Sequence, residues 1–269
     1  MIVHIEPFYF GCSAKPLFGC YHAPKAEPAR DCGVVLCYPI GQEYIHSHRA
    51  YRQLAVRLSS VGFPVLRFDY YGSGDSSGNC EQGRIRQWLA DISTAIDEIR
   101  RRSGLVRVCL VGLRLGGTLS VIAGAERGDI EGIVLWEPVV SGRAYIEELT
   151  TIHQDMLRDS YMEPKHRTIG ENTTEILGFL LTSHVLMELE KIDLFTIRQK
   201  PANNILLIES HAEDGDGRLG NCLQGMATHV EYQELLNSPI WREDANQPNV
   251  LVPHETLQSV VSWMAEVWP

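Results

Sequence analysis

The chain has 269 residues, of which 44% are hydrophobic and 22% are charged. These proportions exclude a disordered chain and a coiled coil, and the length is enough for one well-buried domain. The 34 acidic residues outnumber the 24 basic ones and give a formal net charge of −10, so we expect neither nucleic acid nor an anionic membrane surface as a partner.

Cysteine usage and hydropathy predict the compartment. Seven cysteines are scattered along the chain with no Cys-x-x-Cys pair, which favours free thiols over a disulfide framework or a metal site. No apolar run is long enough to cross a bilayer, and the first residues lack the pattern of a signal peptide. We therefore expect a cytoplasmic protein with no metal and no other cofactor.

The first half of the chain alternates between two periodicities. Segment 33–38 is a continuous apolar run of the length of a strand buried on both faces, and the mostly apolar segments 63–68, 106–111 and 130–136 are predicted as three further strands. Apolar residues at helical spacing occupy three further segments: 51–58, 88–99 and 118–125. This alternation predicts a mostly parallel sheet that is covered by helices on both faces.

The second half begins with a different pattern. Residues 144–195 contain no clear strand, and their apolar residues favour helices; among them are Ile176, Leu177, Leu180 and Leu181. Strand patterns return at 204–209 and 229–234, and Pro253 opens a last helix. We predict a core in two parts, 1–143 and 196–269, with a helical cap at 144–195.

Four turns after the strands of the predicted core have distinctive sequences. They read YPIGQE at 38–43, LRFDYYGSGDS at 66–76, VGLRLGG at 111–117 and WEPVVSGR at 136–143. In this order they resemble the α/β-hydrolase superfamily, in particular its serine aminopeptidase-like, S33-type members and related proteins often encoded beside exosortase or secondary-metabolite genes. The resemblance covers nearly the whole chain. It implies the α/β-hydrolase fold and ester, thioester or peptide hydrolysis, or acyl transfer.

The turn at 111–117 departs from the family at its most important position. The family carries its nucleophile in a Gly-x-Ser-x-Gly turn, the nucleophile elbow. Here Gly112 and Gly116 are retained and Arg114 stands in the serine position. A guanidinium stays protonated and does not attack a carbonyl, so acyl-enzyme chemistry at this position is excluded. Either Arg114 anchors an acidic or carbonyl group, or it fills the pocket and pairs with a carboxylate such as Glu137 or Asp214.

The resemblance also implies where an oxyanion would be bound. It assigns that role to backbone amides of Leu115 and of the loop formed by Ile40, Gly41 and Gln42. Glu43 belongs to the same loop, and we expect it to orient the loop or Arg114 through a hydrogen bond.

The other two members of the family's catalytic triad are harder to place. The family's acid follows the strand after the cap, where Asp214 is the best match. Its histidine follows the last strand, but residues 235–252 contain no histidine. His254 is the nearest candidate base, and a residue exposed at the start of a helix is the plainer interpretation.

Other side chains offer alternative chemistry. Ser73 and Ser76 lie in the glycine-rich turn, where packing is the favoured role. His46 is a candidate base, although a surface position on a helix is favoured. Cys37 lies inside a strand pattern, which favours core packing.

Two functions remain open at this point. One is an enzyme that acts on an ester, thioester or related acyl substrate without a serine nucleophile, using Arg114 with Asp214 or His254. The other is a catalytically inactive relative that binds an acidic or acyl ligand or serves as a partner subunit in a biosynthetic pathway. Both predict a small acyl or carboxylate ligand, free or linked to a carrier protein. Whether the protein forms a homodimer stays open.

Overall fold

The computed structural model of this chain describes residues 5–159, 172–210, 218–235, 239–242 and 252–269. These residues form ten strands: β1 (Ile5–Phe10), β2 (Leu17–His22), β3 (Cys32–Cys37), β4 (Val65–Phe68), β5 (Arg107–Leu113), β6 (Gly132–Trp136), β7 (Thr173–Ile176), β8 (Phe179–Thr182), β9 (Asn204–Glu209) and β10 (His229–Glu234). They also form seven α-helices: α1 (Gly41–Ser60), α2 (Ile85–Ser103), α3 (Leu115–Arg127), α4 (Gly142–Asp159), α5 (Ser183–Leu189), α6 (Arg218–Gln224) and α7 (His254–Val267).

Eight of the strands make one sheet in the order β1-β2-β4-β3-β5-β6-β9-β10. The six strands from β4 to β10 pair in parallel, while β1 and β2 add an antiparallel edge that the sequence analysis did not predict. Strands β3, β4 and β6 are buried along their whole length, including the charged Arg67 in β4. The prediction of a mostly parallel sheet flanked by helices is confirmed.

The helices pack on this sheet in pairs. Helix α1 lies beside α7, and α2 lies beside α3. The carboxyl ends of β3 and β5 each lead directly into a helix, α1 and α3 respectively. Because neighbouring parallel strands end at the same edge of the sheet, the first turns of α1 and α3 lie close together there.

The cap is not entirely helical, so that part of the prediction was wrong. Helices α4 and α5 are separated by the hairpin β7–β8, which is joined by Leu177 and Gly178 with φ of 52° and 82°. Two successive positive φ angles are typical of the tight turn that connects short antiparallel strands. The apolar residues of this hairpin lie at spacings of one and four, which imitates helical periodicity and explains the error.

Candidate functional site

The backbone at Arg114 has the shape of a nucleophile elbow. Arg114 links β5 to α3 with φ of 52° and ψ of −125°. Its amide donates to the carbonyl of Trp136 at 2.9 Å, and its carbonyl accepts from the amides of Gly117 and Thr118 at 3.0 and 3.2 Å. A residue other than glycine at positive φ is strained by about 1–3 kcal/mol, so the surrounding contacts must hold it in place.

The glycines of this turn are required by close backbone packing. A Cβ atom on Gly116 would lie 2.2 Å from the carbonyl oxygen of Cys37, and one on Gly112 would lie 2.4 Å from the amide nitrogen of Gly117. Both distances are impossible for a side-chain carbon. The two glycines therefore serve the fold of the turn, whatever side chain stands between them.

The side chain of Arg114 is enclosed by four other residues. Its Nε donates to Oε1 of Glu43 at 3.0 Å, and its Nη2 donates to the carboxylate of Glu148 on α4. The rings of Tyr145 and Trp241 lie 5.4 and 5.2 Å from the guanidinium carbon, within the range of cation–π attraction. We call these five residues the elbow cluster. Arg114 is only 9% exposed.

Every charge in the elbow cluster has a partner of opposite sign. Tyr145 donates its hydroxyl to Oε2 of Glu43 at 2.7 Å, so both oxygens of this buried carboxylate are used. Burial alone would lower the pKa of the Arg114 guanidinium, but the carboxylates of Glu43 and Glu148 outweigh it and raise that pKa above its ordinary value. Burial raises the pKa of the Glu43 carboxyl, although Arg114 and Tyr145 act in the opposite direction. The arginine therefore stays cationic.

The loop that the resemblance assigns to oxyanion binding lies next to the elbow but is covered. Ile40 precedes the first turn of α1, and the ring of Phe179 from the cap hairpin lies over Gly41. The cavity between residues 40–43 and the hairpin has a volume of about 20 Å³. This is room for one water molecule, whereas ligand cavities are typically about 300–1,000 Å³. Leu115, the first residue of α3, is fully buried beside the elbow.

Glu137 does not pair with Arg114, so that prediction was wrong. It follows β6 with a φ of 47°, and its carboxylate accepts from the amide of Ser210. Its own amide donates to the carbonyl of Ile208 at 2.9 Å. Glu137 therefore ties the end of β6 to the end of β9. The other predicted partner, Asp214, lies outside the residues that the structure describes.

The structure does not bring His254 to the elbow. His254 is exposed, and its ring and carbonyl contact Arg57 in the last turn of α1. Glu43 lies in the first turn of the same helix. A rise of about 1.5 Å per residue places Arg57 about 21 Å from Glu43 along the helix axis. His254 therefore lies at the far end of α1 from the elbow cluster.

Three of the alternative residues are buried, and all three make structural contacts. The prediction that His46 lies on the surface was wrong, because it is 9% exposed and its Nδ1 lies 3.3 Å from the carbonyl of Trp241. Ser76 donates to the carbonyl of Asp69 at 2.6 Å and accepts from the amide of Phe18 at 2.8 Å, which confirms its packing role. Cys37 is fully buried, and burial raises the pKa of its thiol to about 12, so it is core as predicted.

The predicted hydrogen bond from Arg114 to Glu43 is present, but the rest of the elbow cluster was not foreseen. Tyr145 and Glu148 lie three residues apart on α4 and so share one helix face, a signal that was available in the sequence. Trp241 belongs to the loop after the last strand, where the resemblance expects a histidine. No pattern in the sequence around Trp241 predicts that its ring would lie beside Arg114.

The comparisons with known proteins agree with this geometry. Residues 43–171 match the family described as serine aminopeptidase, S33. The esterase Est1E of Butyrivibrio proteoclasticus, solved with ferulic acid, superposes with a TM-score of 0.64 at 14% identity and covers 96% of this chain and 98% of its own. The chain has the α/β-hydrolase fold, and nearly half of it matches the S33 family.

Two further proteins are similar to this chain, one in fold and one over part of its sequence. Mouse alpha/beta hydrolase domain-containing protein 10 superposes with a TM-score of 0.58 at 15% identity, covering 97% of this chain and 99% of its own. The bovine mitochondrial palmitoyl-protein thioesterase ABHD10 is 34% identical over 86 residues, which is 31% of this chain and 27% of that protein. The chain thus matches about a quarter of the length of its curated relatives. The proteins similar to this chain thus include an esterase and a thioesterase.

Two searches of the described residues were negative. No helix in that part of the chain is long and apolar enough to cross a membrane. Three or more His, Cys, Asp or Glu side chains placed to hold a metal ion were not found there either.

Proposed function

We propose that this protein is a non-hydrolysing member of the α/β-hydrolase superfamily that acts by binding an acidic or acyl ligand. In this proposal the elbow has become a structural junction between core and cap. One observation supports it above all: the guanidinium of Arg114 is bound by Glu43 from the core and by Glu148 from the cap. A substrate carboxylate or carbonyl would have to displace one of these carboxylates to reach the arginine.

The cost of opening this junction argues against turnover there. Displacing Glu43, the buried partner, would leave an uncompensated charge, which costs about 3–5 kcal/mol, whereas displacing Glu148, whose side chain is 35% exposed, would cost about 1 kcal/mol or less. The covering hairpin and the 20 Å³ cavity beside residues 40–43 add a steric barrier to the same approach. Both features favour a closed elbow over an open catalytic site.

The test is a panel of p-nitrophenyl esters and acyl-CoA thioesters, assayed with the wild type, Arg114→Ser and Arg114→Ala. We expect the wild type to hydrolyse none of these substrates and to resist labelling by a fluorophosphonate. Exposed Arg86, which pairs loosely with Glu126, supplies the matched control variant Arg86→Ala. Turnover by the wild type that is abolished in Arg114→Ala but retained in Arg86→Ala would overturn the proposal.

The second candidate is an enzyme that uses Arg114 to hold an acyl or carboxylate substrate without covalent catalysis. The strained elbow backbone favours it, because strain at φ of 52° is retained at a position that no longer carries a nucleophile. In this case Glu148→Gln, which frees one edge of the guanidinium, should raise turnover of a carboxylate-bearing ester. If neither the wild type nor Glu148→Gln hydrolyses the ester, ligand binding without hydrolysis remains the better explanation.

A further inference from the structure

A second polar cavity lies on a different face of α1 from the elbow cluster. It has a volume of about 340 Å³, within the range of about 300–1,000 Å³ that is typical of ligand cavities. The described residues that line it come from strands β1, β2 and β4, from α1 and from the loops that follow β3 and β4. The elbow cluster contributes none of them.

The floor of this cavity is made by three side chains of the sheet. Cys20 and Arg67 are directly paired across β2 and β4, so both point to the same face. Arg67 is also paired with Leu36 of β3, and Tyr38 lies two residues beyond Leu36 on that same face. The side chains of Cys20, Arg67 and Tyr38 therefore converge.

One wall of the cavity is a stripe along α1. Tyr44, His48 and Arg52 are spaced four residues apart and so lie above one another on the helix. The ring of His48 stacks on that of Tyr38, with 6.0 Å between ring centres and an interplanar angle of 16°. This wall presents a hydroxyl, an imidazole and a guanidinium above the floor.

Arg67 is a buried cation whose described partners are neutral. It is 7% exposed, its Nε donates to Nε2 of His22 at 3.1 Å, and its Nη1 donates to the hydroxyl of Tyr38 at 3.1 Å. Among the residues that the structure describes, no carboxylate lies within ion-pair distance of this guanidinium, and Nη2 has no hydrogen-bond acceptor. Buried charges are normally paired with an opposite charge.

The surroundings favour one chemical class of anion. Asp69 lies in the cavity with both carboxylate oxygens already used, one by the hydroxyl of Tyr44 at 2.8 Å and one by the amide of Asp75 at 3.0 Å. Asp69 and Asp75 would repel a doubly charged phosphate more than a single carboxylate. The rings of Phe18, Tyr38, Tyr44 and Phe68 also line the cavity and offer an apolar surface.

We propose that this cavity binds a small organic monocarboxylate, whose carboxylate pairs with the Arg67 guanidinium and whose apolar part lies against the aromatic rings. The planar guanidinium presents parallel N–H groups that match a carboxylate. The inference does not depend on whether the elbow is catalytic, because the two sites share no residue.

Cys20 provides a direct readout, because it lines the cavity and is half-buried, whereas Cys12 and Cys80 are exposed elsewhere. The protein is labelled with iodoacetamide in the presence of benzoate, benzamide or inorganic phosphate, and peptide mass spectrometry measures the labelling rate of each cysteine. We expect benzoate to slow the labelling of Cys20 saturably and to leave Cys12 and Cys80 unchanged. Benzamide has the same shape without the charge and should not protect, and phosphate should protect less than benzoate.

The variant Arg67→Met should weaken benzoate protection about tenfold or more. Arg67→Lys keeps the charge but lacks the planar guanidinium, so it should weaken benzoate protection less than Arg67→Met does. If Arg67→Met does not fold, Arg67→Lys replaces it as the test variant. Arg49→Gln, at an exposed position of α1 that does not line the cavity, is the matched control and should change protection little. The proposal is overturned by an absence of saturable protection, by equal protection with benzamide, by stronger protection with phosphate, or by unchanged protection in both Arg67 variants.

Discussion

Two buried arginines of this protein stand in opposite electrostatic situations. Arg114 at the elbow is bound by two carboxylates, from the core and from the cap. Arg67 in the sheet donates to a neutral imidazole and a hydroxyl, and its cavity stays open. The difference shows that a buried cation acts as a structural junction where the protein supplies the counter-charge. Where no carboxylate of the described residues lies within ion-pair distance, as at Arg67, we expect the cation to accept an external anion, although Asp69 acts on it from a greater distance.

Removing the elbow cation should produce the largest effect. Arg114→Met leaves the carboxylate of Glu43 buried without its counter-charge, so we expect a loss of about 3–5 kcal/mol in the free energy of unfolding, measured by urea denaturation. Adding Glu43→Gln should recover part of that loss, because a neutral amide needs no counter-charge. The exposed control Arg86→Met should stay within about 0.5 kcal/mol of the wild type. A loss no larger than that of the control would show that Arg114 is not a junction.

Acid should destabilise the Arg67 region through His22. Burial, and then the neighbouring Arg67, lower the pKa of His22 from 6.5 to about 4. Since the unfolded chain binds this proton more readily, stability should be full above pH 6.5 and should fall as the pH drops toward 4. The separation of the two pKa values corresponds to about 3 kcal/mol. Urea titrations at several pH values measure this slope.

The variant His22→Gln should flatten that slope, because glutamine does not titrate. The exposed histidine His184 provides the control variant His184→Gln, which should leave the slope unchanged. An unaltered slope in His22→Gln would assign the acid sensitivity to other groups.

Removing the sheet cation should cost less than removing the elbow cation. Arg67→Met deletes hydrogen bonds to His22 and Tyr38 but leaves no carboxylate without its ion-pair partner. We expect a loss of about 1–2 kcal/mol in the free energy of unfolding. The pKa of His22 should rise at the same time, and NMR titration of its ring protons would measure this. Destabilisation equal to that of Arg114→Met would erase the contrast between the two arginines.

The smallest effect is expected at the cap side of the elbow. The side chain of Glu148 is 35% exposed, so water partly compensates for the loss of its charge. Glu148→Gln should therefore lower the free energy of unfolding by about 1 kcal/mol or less. In Glu148→Gln, hydrogen exchange of the α4 amides should accelerate more than that of the α2 amides, because α4 contacts Arg114 through Glu148 and α2 does not contribute to the elbow cluster. Equal acceleration in both helices would argue against a junction between cap and core.

The sequence predicted the sheet because its central strands are buried on both faces and therefore consist mostly of apolar residues. The cap hairpin escaped prediction because four-residue strands carry too few positions to separate a period of two from helical spacing. The tight turn at Leu177 and Gly178 was the local sign of this hairpin. The edge strand β1 is interrupted by Glu6, whereas β2 does contain an apolar run at 17–21, which the prediction left unassigned.

The sequence predicted the turn that carries Arg114, but it predicted few of the side chains that contact Arg114. The spacing of Gly112, Arg114 and Gly116 identified the turn, and the adjoining loop suggested Glu43 as a partner. Glu148 and Trp241 come from a cap helix and from a loop far along the chain, so only tertiary packing brings them to the guanidinium. Which side chains contact a buried cation depends on the whole fold, whereas the conformation of the turn that carries it depends on a few neighbouring residues.

The placement of Arg67 in the sheet has a kinetic consequence. Its backbone is held by strands on both sides, so the floor beneath it cannot shift unless the sheet itself separates. A molecule entering there would meet a rigid floor that is already shaped. Arrival and departure should therefore be rapid, and occupancy should follow the surrounding concentration without delay.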